Sequence, residues 1–288
     1  PEFSPHNPLP GAIQTTDTIV LPPASYAQER DKFETRLPAA QRFIVERGIN
    51  EIFEGHRARL GIVLQGGTHG SVVRALNLLG ATGPDGETPV PLLVLNAIHP
   101  LVPDQIADFV KDKDAVLVVE EGNPAFIERE IREILHRRGL PCRLRGKDIL
   151  PMAGEYTLDV VRRGIGTFLS EEDNGKGGLG PAAAKALAAL DAARAETRAA
   201  LDATAPPPRP PSFCTGCPER PVFTALKLLQ RERGKFHISS DIGCNTFSTL
   251  PPFNTGSTVL GYGLSLASGG AVAPPLKQPA VAVMGDGG

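Results

Sequence analysis

Short apolar runs alternate with amphipathic segments along much of the chain. Each apolar run predicts a buried strand, and each amphipathic segment has the spacing of a helix that covers one face of a sheet. The predicted strand and helix pairs are 60–64 with 71–79, 90–95 with 104–111, and 115–119 with 126–139. Because strands that alternate with helices pair in parallel, we predict that residues 58–168 form an open, doubly wound α/β domain.

An alanine-rich segment follows this domain. Residues 181–205 contain thirteen alanines among charged side chains, which predicts a helix whose thin apolar stripe packs weakly. The proline-rich run 206–211 ends that helix and predicts a stiff spacer. A second α/β pattern begins at Ser212, with predicted helices at 222–231 and 259–270 and predicted strands at 236–239 and 281–284.

These patterns predict an α/β chain with two open, doubly wound parallel-sheet units, of which the second is truncated. We expect a connector at 1–57 with one helix at 38–47, the first domain at 58–168, a helical and proline-rich linker at 169–211, and the second unit at 212–288. The chain begins at Pro1 and ends where a predicted strand reaches a loop, so we expect a fragment of a longer polypeptide.

Composition and charge narrow the classes of function. The 30 Lys and Arg residues against 32 Asp and Glu residues give a net charge of −2, without the basic excess of a nucleic-acid-binding protein. The longest uncharged run, 242–276, is interrupted by prolines and glycines, so no segment resembles a membrane span. We expect a cytoplasmic protein, and the 31 glycines and 28 prolines favour a loop-rich cofactor enzyme.

Three of the four cysteines are grouped in the second unit as Cys214, Cys217 and Cys244, and Cys142 stands apart. Thiolates supplied by a tight turn and a distant loop are typical of an iron–sulfur cluster. Zinc is an alternative in which His237 completes the ligand set, and a redox-active C-x-x-C pair is another. Either metal requires the three sulfur atoms to converge.

The tripeptide Gly285-Asp286-Gly287 follows an apolar strand near the end of the chain. At the carboxyl end of a parallel strand, glycines let backbone N–H groups approach a diphosphate, and a carboxylate can hold the divalent ion that neutralises it. A plain strand-to-helix turn is the alternative. The uncharged stretch 254–263, rich in Gly, Ser and Thr, favours the cofactor interpretation.

Polar positions of the first domain favour structural interpretations. The segment Gly66–Gly70 has neither the G-x-G-x-x-G pattern nor the lysine of a phosphate loop, so we interpret it as a tight turn. Glu120 and Glu121 close an apolar strand and could form hydrogen bonds across a domain interface, although paired carboxylates at a strand end are more often solvated. His69 and His99 lie in predicted loops without obvious partners.

Four segments, in this order, resemble the thiamine-diphosphate domain of the indolepyruvate ferredoxin oxidoreductases, a branch of the 2-oxoacid:ferredoxin oxidoreductase family. They are 213–220 (FCTGCPER), 240–246 (SDIGCNT), Asn254-Thr255 with Gly261 downstream, and 283–288 (VMGDGG). Upstream, 59–63 through 118–121 resembles the flavodoxin-like, transketolase-C-terminal-type domain that precedes it in that family. The resemblance covers roughly residues 20–288.

The resemblance implies a thiamine-diphosphate-dependent oxidoreductase. Enzymes of this family decarboxylate a 2-oxoacid oxidatively, pass the electrons through 4Fe–4S clusters to ferredoxin and transfer the acyl group to coenzyme A. The implied substrate is indolepyruvate or another arylpyruvate. The implied partners are other domains or subunits of the same enzyme, in a homo-oligomeric assembly, and neither nucleic acid nor a membrane is among them.

The resemblance also implies roles for individual residues. It implies that Gly285, Asp286 and Gly287 bind the diphosphate and Mg²⁺, with Asp286 as the magnesium ligand. It implies that Asp241, Gly243 and Asn245 line the cofactor cleft. It implies that Cys214, Cys217 and Cys244 are ligands of an iron–sulfur cluster. A fourth cysteine, the glutamate that activates the aminopyrimidine and a further magnesium ligand belong to parts of these enzymes outside the sequence. We therefore expect the chain alone to be inactive, with its catalytic residues unknown. The alternative is a non-catalytic, zinc-stapled α/β interaction module.

Overall fold

The structure is a computed structural model that describes residues 21–82, 87–173, 179–204, 207 and 209–285. Two compact units divide the chain, the first ending at Ala203 and the second beginning at Thr204. Both are built from helices and a mainly parallel sheet, so the predicted α/β fold class is confirmed. Within the described residues, no helix has the length and apolar character that crossing a membrane requires.

The first unit contains a five-stranded sheet with helices on both faces. Its elements are α1 (Ala24–Asp31), which continues through a π-helical turn (Lys32–Arg36) into α2 (Leu37–Glu46), β1 (Glu51–Phe53), β2 (Leu60–Gln65), a 3₁₀ turn (Gly66–Thr68), α3 (His69–Leu78), β3 (Leu92–Leu95), α4 (Pro103–Val110), β4 (Ala115–Val119), α5 (Phe126–Arg138), β5 (Arg143–Arg145), α6 (Leu158–Glu172) and α7 (Leu179–Ala203). The strand order is β1-β3-β2-β4-β5, and every neighbouring pair is parallel except β1 with β3.

The central strands β2 and β4 are buried on both faces, as their uninterrupted apolar sequences predict. Because side chains alternate along a strand, Ile62 and Leu64 pack with α3 and α6 on one face, whereas Val63 packs with α4 and α5 on the other. Two apolar layers therefore sandwich the sheet, and the loops at its carboxyl edge are held by a rigid core.

Two features of the first unit differ from the pattern-based expectation. The strand β1 lies in the region expected to be a connector and adds an antiparallel edge to the sheet. The alanine-rich helix α7, expected to pack weakly, lies on α6, with Ala183 fully buried. Gly166 permits this contact, because a Cβ atom there would come within 2.6 Å of the Leu187 side chain. Ion pairs from Arg163 to Asp191 also join the two helices.

The second unit has a smaller, fully parallel sheet of three strands. Its elements are α8 (Glu219–Arg233), β6 (His237–Asp241), a 3₁₀ turn (Cys244–Thr249), β7 (Thr258–Leu260), α9 (Ser265–Leu276) and β8 (Ala280–Val283). The strand order is β7-β6-β8. The predicted helix at 259–270 is wrong in its first residues, because 258–260 pair with β6 and the helix begins only after the glycine-containing turn 261–264.

An aromatic cluster forms part of the core of the second unit. The Phe213 ring stacks on Phe223 with centroids 5.4 Å apart and meets the edges of Phe247 and Phe253. Phe213 and Phe223 are both buried. These contacts anchor the segment before Cys214 to helix α8 and to the loop after β6, so they position the cysteine-containing turn.

Candidate functional site

At the carboxyl end of β6, the order in which strands are added to the second sheet reverses. The chain leaves β6 to form β7 on one side and, after α9, returns as β8 on the other. Crevices at such switch points are the usual ligand sites of open parallel sheets. Ile242, Gly243 and Cys244, which follow β6, are all exposed. Predicted cleft residues Gly243 and Asp241 therefore stand at the position where this architecture binds ligands.

The carboxylate of Asp241 joins the loops around this switch point. Asp241 is 1% exposed, its Oδ2 atom accepts a hydrogen bond from the Gly263 N–H at 2.8 Å, and its Oδ1 atom accepts one from the Ser265 N–H at 2.9 Å. One side chain thus connects the turn after β7 with the start of α9.

These hydrogen bonds favour the ionised form of Asp241. Burial acts to raise the pKa of the carboxyl group, but the backbone N–H groups of Gly263, Ser265 and Gly285 outweigh it, and the pKa lies below the ordinary value. Both carboxylate oxygens already accept backbone hydrogen bonds. Asp241 is therefore a positioning residue of the cleft, whose carboxylate holds two backbone segments together.

The backbone after Asp241 follows a path that requires glycine. Gly243 has φ +125° and ψ −151°, a conformation that residues with a Cβ atom rarely adopt. The Gly243 carbonyl accepts a hydrogen bond from the Thr246 N–H at 3.0 Å, which closes the turn around Asn245. Asn245 is buried at 8% exposure. The structure thus places Asp241, Gly243 and Asn245 together at one strand end.

The predicted diphosphate motif is only partly within the described residues. Gly285 follows β8 and is exposed. Asp286 and Gly287 lie outside the described residues, so the magnesium assignment stays a prediction. An exposed glycine backbone at the ends of β6 and β8 fits the approach of a diphosphate, for which backbone N–H groups are the usual protein donors.

The cysteines do not provide an assembled metal site in the described part of the chain. Cys214 and Cys244 are exposed and Cys217 is half-buried, and all are free thiols. Over residues 21–82, 87–173, 179–204, 207 and 209–285, no group of three or more His, Cys, Asp or Glu side chains could hold a metal ion. The iron–sulfur and zinc ligand assignments therefore stay predictions.

The remaining histidine and cysteine candidates are engaged elsewhere. The His237 ring, proposed as a zinc ligand, lies 3.1 Å from the Thr258 hydroxyl through its Nε2 atom, so it bridges β6 and β7. Cys142 is buried in the first unit, and burial raises the pKa of its thiol to about 11. A thiol with this pKa stays protonated at neutral pH and is a poor nucleophile.

Pattern analysis included Gly263 in the stretch 254–263 that favours a cofactor, but it missed Ser265. The backbone N–H groups of both residues hold Asp241, yet both fall inside the stretch predicted to be helical from residue 259. The available signal was the spacing Gly261-Tyr262-Gly263, because glycines at this density rarely continue a helix. Gly263 has φ +74°, which confirms that the chain turns at this point.

Comparisons with known proteins place the chain in a sequence family. Residues 50–196, slightly more than half of the chain, match the sequence model of the family described as "Indolepyruvate oxidoreductase domain". The matched range contains the sheet of the first unit together with α6 and most of α7.

Proteins named indolepyruvate oxidoreductase subunit IorA are similar over most of the chain. The protein of Methanothermobacter marburgensis is 26% identical over 97% of this chain and 41% of its own length. The protein of Thermococcus kodakarensis is 29% identical over 80% of this chain and 34% of its own length. The protein of Archaeoglobus fulgidus is 28% identical over 94% of this chain and 39% of its own length. The chain therefore spans about two fifths or less of the curated relatives that it matches.

A solved structure, described as the inactive β4 tetramer of a split-gene transketolase, is 18% identical with a TM-score of 0.29, over 48% of this chain and 42% of that chain. A TM-score this low does not establish a shared fold. The sequence-family match, in contrast, covers the core of the first unit. The chain belongs to the indolepyruvate oxidoreductase family.

Proposed function

We propose that this chain is part of a thiamine-diphosphate-dependent indolepyruvate oxidoreductase, and that its second unit supplies the diphosphate side of the cofactor site. The observation that carries the proposal is the buried carboxylate of Asp241, which holds the backbone N–H groups of Gly263 and Ser265 at the carboxyl end of β6, beside the exposed glycine backbone of Gly243. The relatives named for this activity support the substrate class.

The residues of this chain would bind and orient the cofactor. When bound, thiamine diphosphate supplies the carbon nucleophile and electron sink that remove carbon dioxide from a 2-oxoacid. Gly243 lets the backbone after β6 approach the ligand closely, since no Cβ atom projects there. Gly285, which precedes the proposed magnesium ligand Asp286, follows β8, the neighbour of β6 in the sheet, and is exposed.

The proposal extends to the reaction of the whole enzyme. Its substrate is indolepyruvate or another arylpyruvate, coenzyme A accepts the acyl group, and ferredoxin accepts the electrons. Other subunits or domains of the same enzyme complete the site. We assign no electron-transfer step to Cys214, Cys217 and Cys244. Among the described residues, no group of three His, Cys, Asp or Glu side chains is arranged to hold a metal ion.

Calorimetric titration with thiamine diphosphate and Mg²⁺ tests this proposal. In a protein of the relatives' full length that contains this sequence, Asp241→Ala should weaken binding by about tenfold or more, since it releases several charge-assisted hydrogen bonds at once. Glu232→Gln is the control, because Glu232 is an exposed carboxylate of the same unit. The 288-residue chain by itself should show little heat.

Two outcomes would contradict the proposal. One is unchanged binding in a folded Asp241→Ala variant, and the other is the absence of binding in the full-length protein. The more conservative Asp241→Asn separates folding from binding, because an amide oxygen retains part of the acceptor capacity. A circular dichroism spectrum of each variant reports whether it is folded.

A further inference from the structure

A short loop before β7 packs against the turn that carries two of the predicted site residues. The 3₁₀ turn Cys244–Thr249 follows Gly243 and contains Asn245. Residues 254–257, which we call the supporting loop, form hydrogen bonds both to this turn and to β6. Because the turn and the proposed cleft share residues, contacts that fix the turn also fix the cleft.

Hydrogen bonds join the supporting loop to the turn. The Ser248 carbonyl accepts the N–H groups of Thr255 and Gly256, at 2.8 and 3.1 Å, and the Thr255 hydroxyl at 3.3 Å. Ser248 and Thr255 are both buried, so these hydrogen bonds are costly to break. On the other side of the loop, the Ser257 N–H donates to the Ile238 carbonyl of β6 at 2.7 Å. The turn is therefore held against the central strand of the sheet.

Gly256 lies at the closest contact between the supporting loop and the turn. A Cβ atom at this position would come within 2.6 Å of Ser248 Oγ and 2.8 Å of Thr249 Cγ2. Both distances are well below van der Waals contact. Gly256 does not have a positive φ, so lack of space, and not backbone conformation, excludes a side chain here.

The atoms opposite this Cβ position are themselves held in place. Thr249 is β-branched and its hydroxyl donates to the Thr246 carbonyl at 2.8 Å, so rotation of its methyl group would break that hydrogen bond. The buried Ser248 hydroxyl lies 3.3 Å from the Ser240 hydroxyl of β6. The backbone N atom of Thr249 would also be only 3.3 Å from the added Cβ atom. A methyl group at residue 256 should therefore displace the turn as a whole.

We propose that Gly256 is a positioning residue of the cofactor cleft, and that the close contact it permits sets the affinity for thiamine diphosphate. The inference rests on the proposed function, which assigns the cofactor to the cleft that Gly243 and Asn245 line. The Gly243 carbonyl accepts the Thr246 N–H at 3.0 Å. Displacement of the turn therefore changes the backbone path at the point where the diphosphate would approach.

Titration calorimetry with thiamine diphosphate and Mg²⁺ measures the effect, in a protein of the relatives' full length that contains this sequence. Gly256→Ala should weaken binding by about tenfold, because forcing a methyl group into a packed contact costs about as much free energy as a tenfold change in Kd. Gly270→Ala is the matched control and should bind as the wild type does. A Cβ atom at exposed Gly270, in the same unit, meets no heavy atom within 4 Å.

A compensating variant tests the steric mechanism. Ser248→Ala removes the hydroxyl group that the added Cβ atom would meet, and Thr249→Ser removes the methyl group. Thr249→Ser retains the hydroxyl that donates to Thr246. The triple variant with Gly256→Ala should therefore recover most of the wild-type affinity. A general loss of stability would not be reversed by two further truncations at packed positions.

Hydrogen exchange of the segment 244–256, measured by mass spectrometry without the cofactor, reports on the contact itself. Exchange should be about tenfold faster in Gly256→Ala than in the wild type, because the displaced turn opens more readily, and it should be unchanged in Gly270→Ala. A circular dichroism spectrum of each variant shows whether it is folded.

Three results would overturn the proposal: wild-type affinity in Gly256→Ala, unchanged exchange of segment 244–256 in that variant, or no recovery of affinity in the triple variant. If the wild-type protein does not bind thiamine diphosphate, the proposed function fails and the effect on affinity fails with it. The exchange rates still decide, in that case, whether Gly256 holds the turn.

Discussion

At the scale of single residues, Asp241 shows how one buried carboxylate can organise several loops. Its oxygens accept hydrogen bonds from the Gly263 N–H in the turn after β7 and from the Ser265 N–H at the start of α9. Backbone N–H groups that point at one side chain are otherwise costly to bury, because each would lack an acceptor. The carboxylate satisfies them together and so holds the cleft in one conformation.

The depressed pKa of Asp241 predicts a pH-dependent stability. A carboxyl group whose folded pKa lies below its ordinary value of 3.8 stabilises the fold fully above that value, and the contribution is lost as the pH falls through the folded pKa. Asp241→Asn should therefore lower the free energy of unfolding of the second unit at pH 7. The difference between wild type and variant should shrink between pH 4 and pH 2.

Urea unfolding at a series of pH values, followed through amide NMR signals of the second unit, measures this difference. Glu232→Gln, an exposed carboxylate on α8, provides the control and should give a small difference at every pH. If the difference in the free energy of unfolding between wild type and Asp241→Asn stays constant down to pH 2, the ionised form of Asp241 has no special role in the cleft.

At the scale of elements, the start of α5 depends on a side chain outside the helix. The expectation that Glu120 is solvated is wrong, since this residue is 4% exposed. Its Oε1 and Oε2 atoms accept hydrogen bonds from the N–H groups of Ile127 and Glu128, at 2.9 and 3.0 Å. The first N–H groups of a helix have no acceptor within the helix, so the carboxylate replaces a local cap. The Glu120 side chain therefore links the end of β4 to the start of α5.

Removing half of this cap should destabilise the first unit. In Glu120→Gln, the amide group faces one of the two helix N–H groups and cannot accept its hydrogen bond, which should cost about 1–2 kcal/mol of the free energy of unfolding. Chemical denaturation measures the loss. Glu133→Gln on the exposed face of α5 should change the value by less than about 0.5 kcal/mol. Equal values for the two variants would contradict the capping role of Glu120.

At the scale of the whole molecule, the chain consists of two compact units with the division next to the proline-rich run. The first unit ends at Ala203, so α7 belongs with the sheet that precedes it. The described residues of the run, 207 and 209–211, are exposed. Extended, exposed backbone with few tertiary contacts is the preferred substrate of proteases.

Limited proteolysis should therefore cut first between residues 204 and 212 and release two stable fragments. An enzyme of broad specificity is needed, because prolines flank Arg209 and restrict trypsin. Mass spectrometry of early fragments locates the cut, and the larger fragment should retain α7. A first cleavage within β4 or α5 would show that the unit boundary is misplaced, since both elements belong to the core of the first unit.

The sequence by itself determined the elements that local pattern controls. The apolar runs that became β2 and β4 could only be buried strands, and the amphipathic spacing of α4 and α5 fixed the faces that cover the sheet. Glycine and proline signals also located the turn after β2 and the end of α7. Motif order alone pointed to the family to which the chain belongs.

Only the tertiary structure decided how distant residues meet. Glu120 is buried because α5 begins beside it, and Asp241 is buried because Gly263 and Ser265, from the turn after β7 and the start of α9, lie beside it. The edge strand β1 has too short an apolar pattern to identify it, and its pairing with β3 depends on a partner some forty residues away. Periodicity reports the environment of a residue along its own element. It carries no information on which loops converge at a strand end, and that convergence forms the cleft after β6.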